Sequence, residues 1–167
     1  MLKQAILNEP APDFSYLNHI GEKQEFGELK NKWIILYFYP KDNTSGCTLE
    51  AVDFTCRVNQ FIEQDAIILG VSPDSQKSHE NFINKHNLVI ELISDPNHSI
   101  LEAYGCWGKM KLYGKEYFGV IRSTFIINPN RVIAAEWRNV KVKNHVQEVY
   151  NKLLELKTTE NDPKRKD

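Results

Sequence analysis

Two unbroken apolar runs constrain this chain more than any other feature. "WIILYFY" (Trp33–Tyr39) and "AIILGVS" (Ala66–Ser72) carry no charged side chain. A strand with one face in water alternates apolar and polar residues. Runs like these read instead as strands buried on both faces, as inside a parallel sheet. Between them the spacing turns helical from Thr48 onward, with Ala51, Phe54, Val58, Phe61 and Ile62 on one stripe.

The later segments extend the pattern. "DSQKSHENFINKHN" predicts a helix with Asp74 or Ser75 as its cap, and "VIELISD" a short strand. "NHSILEAYG" predicts a short helix stopped by Gly105. "STFIIN" and "VIAAEW" are strands joined through "PNR", a hairpin signal. "KVKNHVQEVYNKLLEL" predicts a closing amphipathic helix with Val142, Val146, Val149, Leu153 and Leu156 on one face. Upstream, "EPAPDF" and "HIGEK" read as turns flanking short extended segments. This order implies an α/β fold: a mixed central sheet flanked by helices, with an N-terminal extension. Residues 1–157 are expected to form a single domain and residues 158–167 a disordered polar tail.

At 167 residues, one domain can bury an ordinary core without disulfides. A net charge of -1 argues against a nucleic-acid groove or an anionic membrane surface as partner. No apolar run nears the ~18 residues of a membrane span, and "MLKQAILNEPAPDF" lacks the apolar stretch of a signal peptide. Three scattered cysteines suit reduced thiols in a cytoplasmic protein better than a disulfide framework. His19, His79, His86, His98 and His145 make no metal-ligand spacing, and no nucleotide-binding motif occurs, so no metal or cofactor is expected.

Cys47 is the residue whose placement asks for a chemical explanation. It follows the first buried strand and opens the next helix, in the crevice where open α/β sheets bind ligands. Free backbone N–H groups and the helix dipole favour a thiolate there. Thr44 can cap the helix or offer its hydroxyl to a ligand. Pro40 ends the strand, donates no hydrogen bond, and can shield the sulfur. The competing reading is that Cys47 fills a corner and Thr44 only caps.

"P-x-x-x-T-x-x-C", here Pro40, Thr44 and Cys47, resembles the active-site signature of the peroxiredoxins. The surrounding "FYPKDNTSGCTLEA" is similar to the bacterioferritin comigratory protein (peroxiredoxin Q) branch, with Ser45 where that branch usually has proline. "APDFSYLNHIGE", "GVSPDS" and "YGCWGKMKLYGKEYFGVIRSTFIIN" match further segments, so the resemblance runs roughly from Glu9 to Leu156. It implies a thioredoxin-like fold and a thiol-dependent peroxidase acting on hydrogen peroxide and small organic hydroperoxides. Cys47 then matches the peroxidatic cysteine, Thr44 the hydroxyl that bonds the peroxide, and Arg122 the arginine beside the sulfur. Glu50 matches a position often Glu or Gln, which can either join the arginine or be a solvated helix charge.

The chain departs from the branch where a second cysteine usually follows five residues on; that position is Val52. Cys56 lies nine residues beyond Cys47, ~900° round and ~13 Å along a helix, against the ~7 Å between Cα atoms that a disulfide allows. Cys106 stands where the branch has valine, which suggests packing. Asp74 to Asn87 holds no cysteine. A one-cysteine cycle, resolved by thioredoxin, glutaredoxin or a small thiol, is therefore the leading expectation, in a monomer. A general thiol–disulfide oxidoreductase and a redox sensor are the alternatives. Trp107 and Tyr113 can line a loop over the site, but core packing is the expectation.

Overall fold

A computed structural model describes residues 5–29 and 31–160. In chain order the elements are β1 (Ser15–Leu17), β2 (Lys23–Glu25), β3 (Trp33–Phe38), α1 (Ser45–Cys56), α2 (Val58–Glu63), β4 (Ala66–Ser72), α3 (Gln76–His86), β5 (Glu91–Ser94), α4 (Ser99–Ala103), β6 (Trp107–Leu112), β7 (Lys115–Val120), β8 (Ser123–Ile127), β9 (Ile133–Arg138) and α5 (His145–Glu160). The central sheet has the order β5-β4-β3-β8-β9. β3, β4 and β5 run parallel, while β8 and β9 are antiparallel to their neighbours. This is the expected thioredoxin-like architecture.

The apolar run of β3 is the centre of the fold, and every residue from Trp33 to Tyr39 is buried. Its side chains divide by parity. Trp33, Ile35, Tyr37 and Tyr39 pack with Cys47, Ala51 and Phe54 of α1, Phe82 of α3, and Val146, Val149 and Leu153 of α5. Ile34, Leu36 and Phe38 face the opposite layer, with Ile100 and Leu101 of α4, Tyr104 and Cys106. Each large apolar side chain so buried contributes about 1.5–3 kcal/mol.

Four boundaries differ from the sequence reading. The helix after Cys47 breaks at Arg57, whose backbone (φ -106, ψ 6) separates α1 from α2. Phe61 turns into the core while Ile62 is exposed. The fifth strand begins at Glu91, leaving Val89 exposed. The closing helix starts at His145, because Asn144 adopts a left-handed φ of 61. Val142 is half-buried ahead of it. At its other end the helix continues to Glu160, so residues 158–160 of the supposed tail are helical, and the rest of that tail lies outside the described residues.

The segment around Tyr113 is not core. β6 and β7 form a separate two-stranded hairpin. Tyr113 (φ 51) and Gly114 (φ 78) make its two-residue turn, where positive φ suits the strand twist. Tyr113 is 96% exposed at the tip. Trp107 is half-buried at the base and stacks on His98 with ring centroids 3.7 Å apart.

Candidate active site

The site begins where β3 ends. The Tyr39 N–H still reaches the Val71 carbonyl of β4 at 3.0 Å. Pro40 then ends the ladder and is exposed. Asn43 takes a left-handed φ of 61 and redirects the chain, a conformation that Asn tolerates better than most residues. Thr44 occupies the N-cap position of α1 in extended conformation, but its side chain makes no cap hydrogen bond. Its hydroxyl instead donates to the Lys41 carbonyl at 2.8 Å. The capping role considered for Thr44 is therefore not what its hydroxyl does.

Cys47 lies in the first turn of α1, where backbone N–H groups lack intrahelical acceptors. It is 1% exposed. Arg122, just before β8, donates from Nη2 to the Cys47 sulfur at 3.2 Å. Its Nη1 donates to Glu50 Oε1 at 2.7 Å. Glu50 follows Cys47 by three residues, the spacing that puts two side chains on one helix face. One guanidinium thus bridges the thiol and the carboxylate. The Arg122 backbone is held as well, its carbonyl accepting from the Val140 N–H at 2.9 Å.

Glu50 is no solvated helix charge: it is fully buried, and its Oε2 has no hydrogen-bond partner. Burial pushes its carboxyl up to about 7, against the opposing pull of Arg122. Burial works against the Arg122 charge, but Glu50 and Cys47 beside it hold its pKa above the ordinary guanidinium value. The buried Tyr37 phenol also lacks a partner, and burial, then Glu50 and Cys47, raise it well above its ordinary value. Gly70, its register partner on β4, makes room for that ring: a Cβ there would come 2.7 Å from it. His145, at the start of α5, meets Thr124 Oγ1 at 2.7 Å through Nε2. Burial, then Arg122, lower it to about 4, so a neutral imidazole flanks the arginine.

A second buried cluster sits beneath the loop between β3 and α1. Asp42 accepts from the Tyr39 hydroxyl at 2.6 Å and the Ser78 hydroxyl at 2.8 Å. Its Oδ2 lies 2.7 Å from His79 Nδ1. The sequence reading missed this pair. The available signals were a carboxylate inside the loop and a histidine three residues before Phe82 on an apolar helix face.

The other cysteines are elsewhere. Cys56 is the last residue of α1 and is exposed. Cys106 belongs to the opposite layer of the sheet from Cys47. Its thiol lies against the Tyr104 carbonyl at 3.5 Å, and burial pushes it up to about 11. All three cysteines are free. Among the described residues, no group of three or more His, Cys, Asp or Glu could hold a metal ion, and no helix is long and apolar enough to cross a membrane.

Comparison with known proteins gives this arrangement a family. Residues 7–136 match the AhpC/TSA family. The chain is 46% identical to peroxiredoxin Bcp of Bacillus subtilis over 150 residues, covering 90% of this chain and 96% of that one. The solved structure of Xanthomonas campestris peroxiredoxin Q superposes with a TM-score of 0.84 at 36% identity, covering 90% and 97% of the two chains. The bacterioferritin comigratory protein of the same organism, solved in trapped intermediate/ligand complexes that bear on its alkyl peroxide reduction activity, gives 0.84 at 35% identity and covers 91% and 98%. Sequence relatives and solved structures agree over nine tenths of the chain, and the chain belongs to the AhpC/TSA family as a peroxiredoxin of the Bcp/Q branch.

Proposed function

We propose that this chain reduces hydrogen peroxide and small organic hydroperoxides, with Cys47 as the attacking thiolate, in a one-cysteine cycle completed by an external thiol. The observation that carries the reading is the Arg122 Nη2 contact with the Cys47 sulfur at 3.2 Å. A fixed cation there favours the thiolate over the thiol and stabilises negative charge on an oxygen leaving beside it. The alkyl peroxide reduction studied in the Xanthomonas campestris relative supports organic hydroperoxides as substrates.

In the proposed cycle the Cys47 thiolate attacks one peroxide oxygen. The S–O bond forms as the O–O bond breaks, and the leaving oxygen takes a proton and departs as water or an alcohol. Cys47 becomes a sulfenic acid. The Thr44 hydroxyl, at the mouth of the helix, is the group assigned to hold the peroxide, and Pro40 to screen the sulfur. A thiol then attacks the oxidised sulfur, releasing water and forming a mixed disulfide. A second thiol frees the Cys47 thiolate and leaves as disulfide with the first. Thioredoxin, glutaredoxin or a small thiol can supply those electrons, in a reducing compartment such as the cytoplasm. Cys56 at the far end of α1 and Cys106 across the sheet support an external rather than an internal resolving thiol.

Peroxide consumption with dithiothreitol as reductant tests the reading. Cys47→Ser should abolish turnover while leaving the circular dichroism spectrum unchanged. Near-wild-type turnover in that folded variant would overturn it.

A further inference from the structure

The buried pair beneath the active-site loop has a consequence for Cys47. His79 and Asp42 are 1% and 5% exposed. His79 Nε2 lies 3.1 Å from the Ile93 carbonyl. A carbonyl only accepts, so Nε2 carries a proton. On the other side of the ring, Nδ1 meets Asp42 Oδ2 at 2.7 Å. Burial works against the Asp42 charge, but His79 and the Tyr39 and Ser78 hydroxyls hold its carboxyl below the ordinary range. The ring is bonded at both nitrogens and closed off from water.

The network ties the active-site loop to α3. Asp42 is gripped through its side chain by His79 and Ser78 of α3 and by Tyr39. It is gripped through its backbone as well, since its N–H donates to Asp74 Oδ2 at 2.6 Å. Two residues later comes Thr44, and three after that Cys47. The loop itself is otherwise exposed: Pro40, Lys41, Asn43 and Thr44 all face water. Asp42 is its one buried side chain, so the loop's position depends on what Asp42 holds.

We propose that His79 is a positioning residue for peroxide reduction: with Asp42 it pins the loop from Pro40 to Thr44, so that the Thr44 hydroxyl and the Cys47 sulfur meet the same peroxide. The inference rests on the assignment of Cys47 as the attacking thiol. Pairs of this kind are weak as sources of net stability, but removing one partner strands a buried charge. A loop that can reach water relieves such a charge by moving out. Loss of His79 should therefore release the loop before it unfolds the domain.

Release makes two rates move in opposite directions. Peroxide reduction needs the loop in place and should slow. Alkylation by iodoacetamide needs only access to a sulfur that is 1% exposed, and should speed up. The test uses the full chain with Cys56→Ser and Cys106→Ser, so that Cys47 is the only thiol. Both rates are measured at neutral pH in His79→Leu and His79→Asn, alongside the melting curve. In His79→Leu the peroxide rate should fall at least about tenfold, as expected when a pre-organised contact to the transition state is lost, while alkylation rises. His79→Asn retains an N–H donor where Nδ1 stood and should recover much of both. Unchanged rates in a folded His79→Leu protein would overturn the proposal, as would two rates that fall together. If His79→Leu does not fold, Tyr39→Phe, which removes one donor to Asp42, should show the same opposed changes at smaller size, and unaltered rates there would also overturn it. Failure of the Cys47 assignment looks different: the parent protein itself would not react with peroxide.

Discussion

Arg122 and Cys47 are 75 residues apart in the chain, yet Arg122 Nη2 lies 3.2 Å from the Cys47 sulfur. The same guanidinium is tethered through Nη1 to buried Glu50 at 2.7 Å. The tether removes rotamer freedom from the arginine before any peroxide arrives, which is what pre-organised electrostatic catalysis requires. Loss of one such contact typically costs about 10²–10³ in rate. Arg122→Ala should lower the rate of Cys47 oxidation at least about tenfold and reduce the thiolate fraction at neutral pH, read from the pH dependence of alkylation. Arg122→Lys should recover only part of the rate, because one ammonium cannot match the two-pronged geometry. Unchanged rates and alkylation in Arg122→Ala would exclude the arginine from the chemistry.

Thr44 tests the other side of the site. Its hydroxyl donates to the Lys41 carbonyl, which leaves its lone pairs open to accept, as the proposed peroxide contact requires. Thr44→Val preserves shape and removes both roles. The single-turnover peroxide rate should fall at least about tenfold, with a melting temperature close to wild type because the side chain is exposed. A rate within twofold of wild type would remove the hydroxyl from the site.

Glu50 and His145 should pull stability in opposite directions with pH. Glu50 moves from an ordinary 4.5 to about 7 on folding, because of burial. Between those values the folded protein keeps a proton that the unfolded chain has released, so stability drains away as pH rises. His145 moves from 6.5 to about 4, again through burial and then Arg122. Between those values the unfolded chain holds the extra proton, so stability drains away as pH falls. Each slope reaches at most about 1.4 kcal/mol per pH unit. Relative to wild type, Glu50→Gln should lose stability more steeply on acidification from pH 6.5 to 4.5, and His145→Gln less steeply. Urea midpoints across that range measure both, and parallel profiles for all three proteins would contradict the assignment.

Cys56 and Cys106 should be dispensable. One is exposed at the end of α1. The other lies across the sheet, with burial raising its thiol to about 11. The Cys56→Ser, Cys106→Ser double variant should keep most of its peroxidase activity with a small thiol as reductant. Loss of most turnover in the folded double variant would mean that one of these thiols resolves the cycle.

What was legible in the sequence follows from burial. β3 and β4 were readable because both their faces are covered, which leaves an uninterrupted apolar run. The position of Cys47 followed from where that run ended and helical spacing began. The β6–β7 hairpin was not readable: residues 111–118 are all exposed, so no burial imposes a period of two on them. The break at Arg57 was hidden because Ala51, Phe54 and Phe61 still satisfy one helical stripe across it. The least legible features are the buried charges. A glutamate one turn beyond Cys47 looks like any solvated helix residue until Arg122 is brought to it from the sheet. Asp42 and His79 become partners only when α3 packs beside the loop. Tertiary pairing of charges leaves little local trace.

Intact mass spectrometry after one equivalent of hydrogen peroxide, with and without a sulfenic-acid trap, tests the central claim most directly. The account predicts addition of one oxygen, trapped at Cys47 on peptide mapping, and no adduct in Cys47→Ser. A rapid, stoichiometric loss of two hydrogens that maps to a Cys47–Cys56 or Cys47–Cys106 disulfide would contradict the one-cysteine cycle. A trapped adduct on any residue other than Cys47 would contradict the site itself.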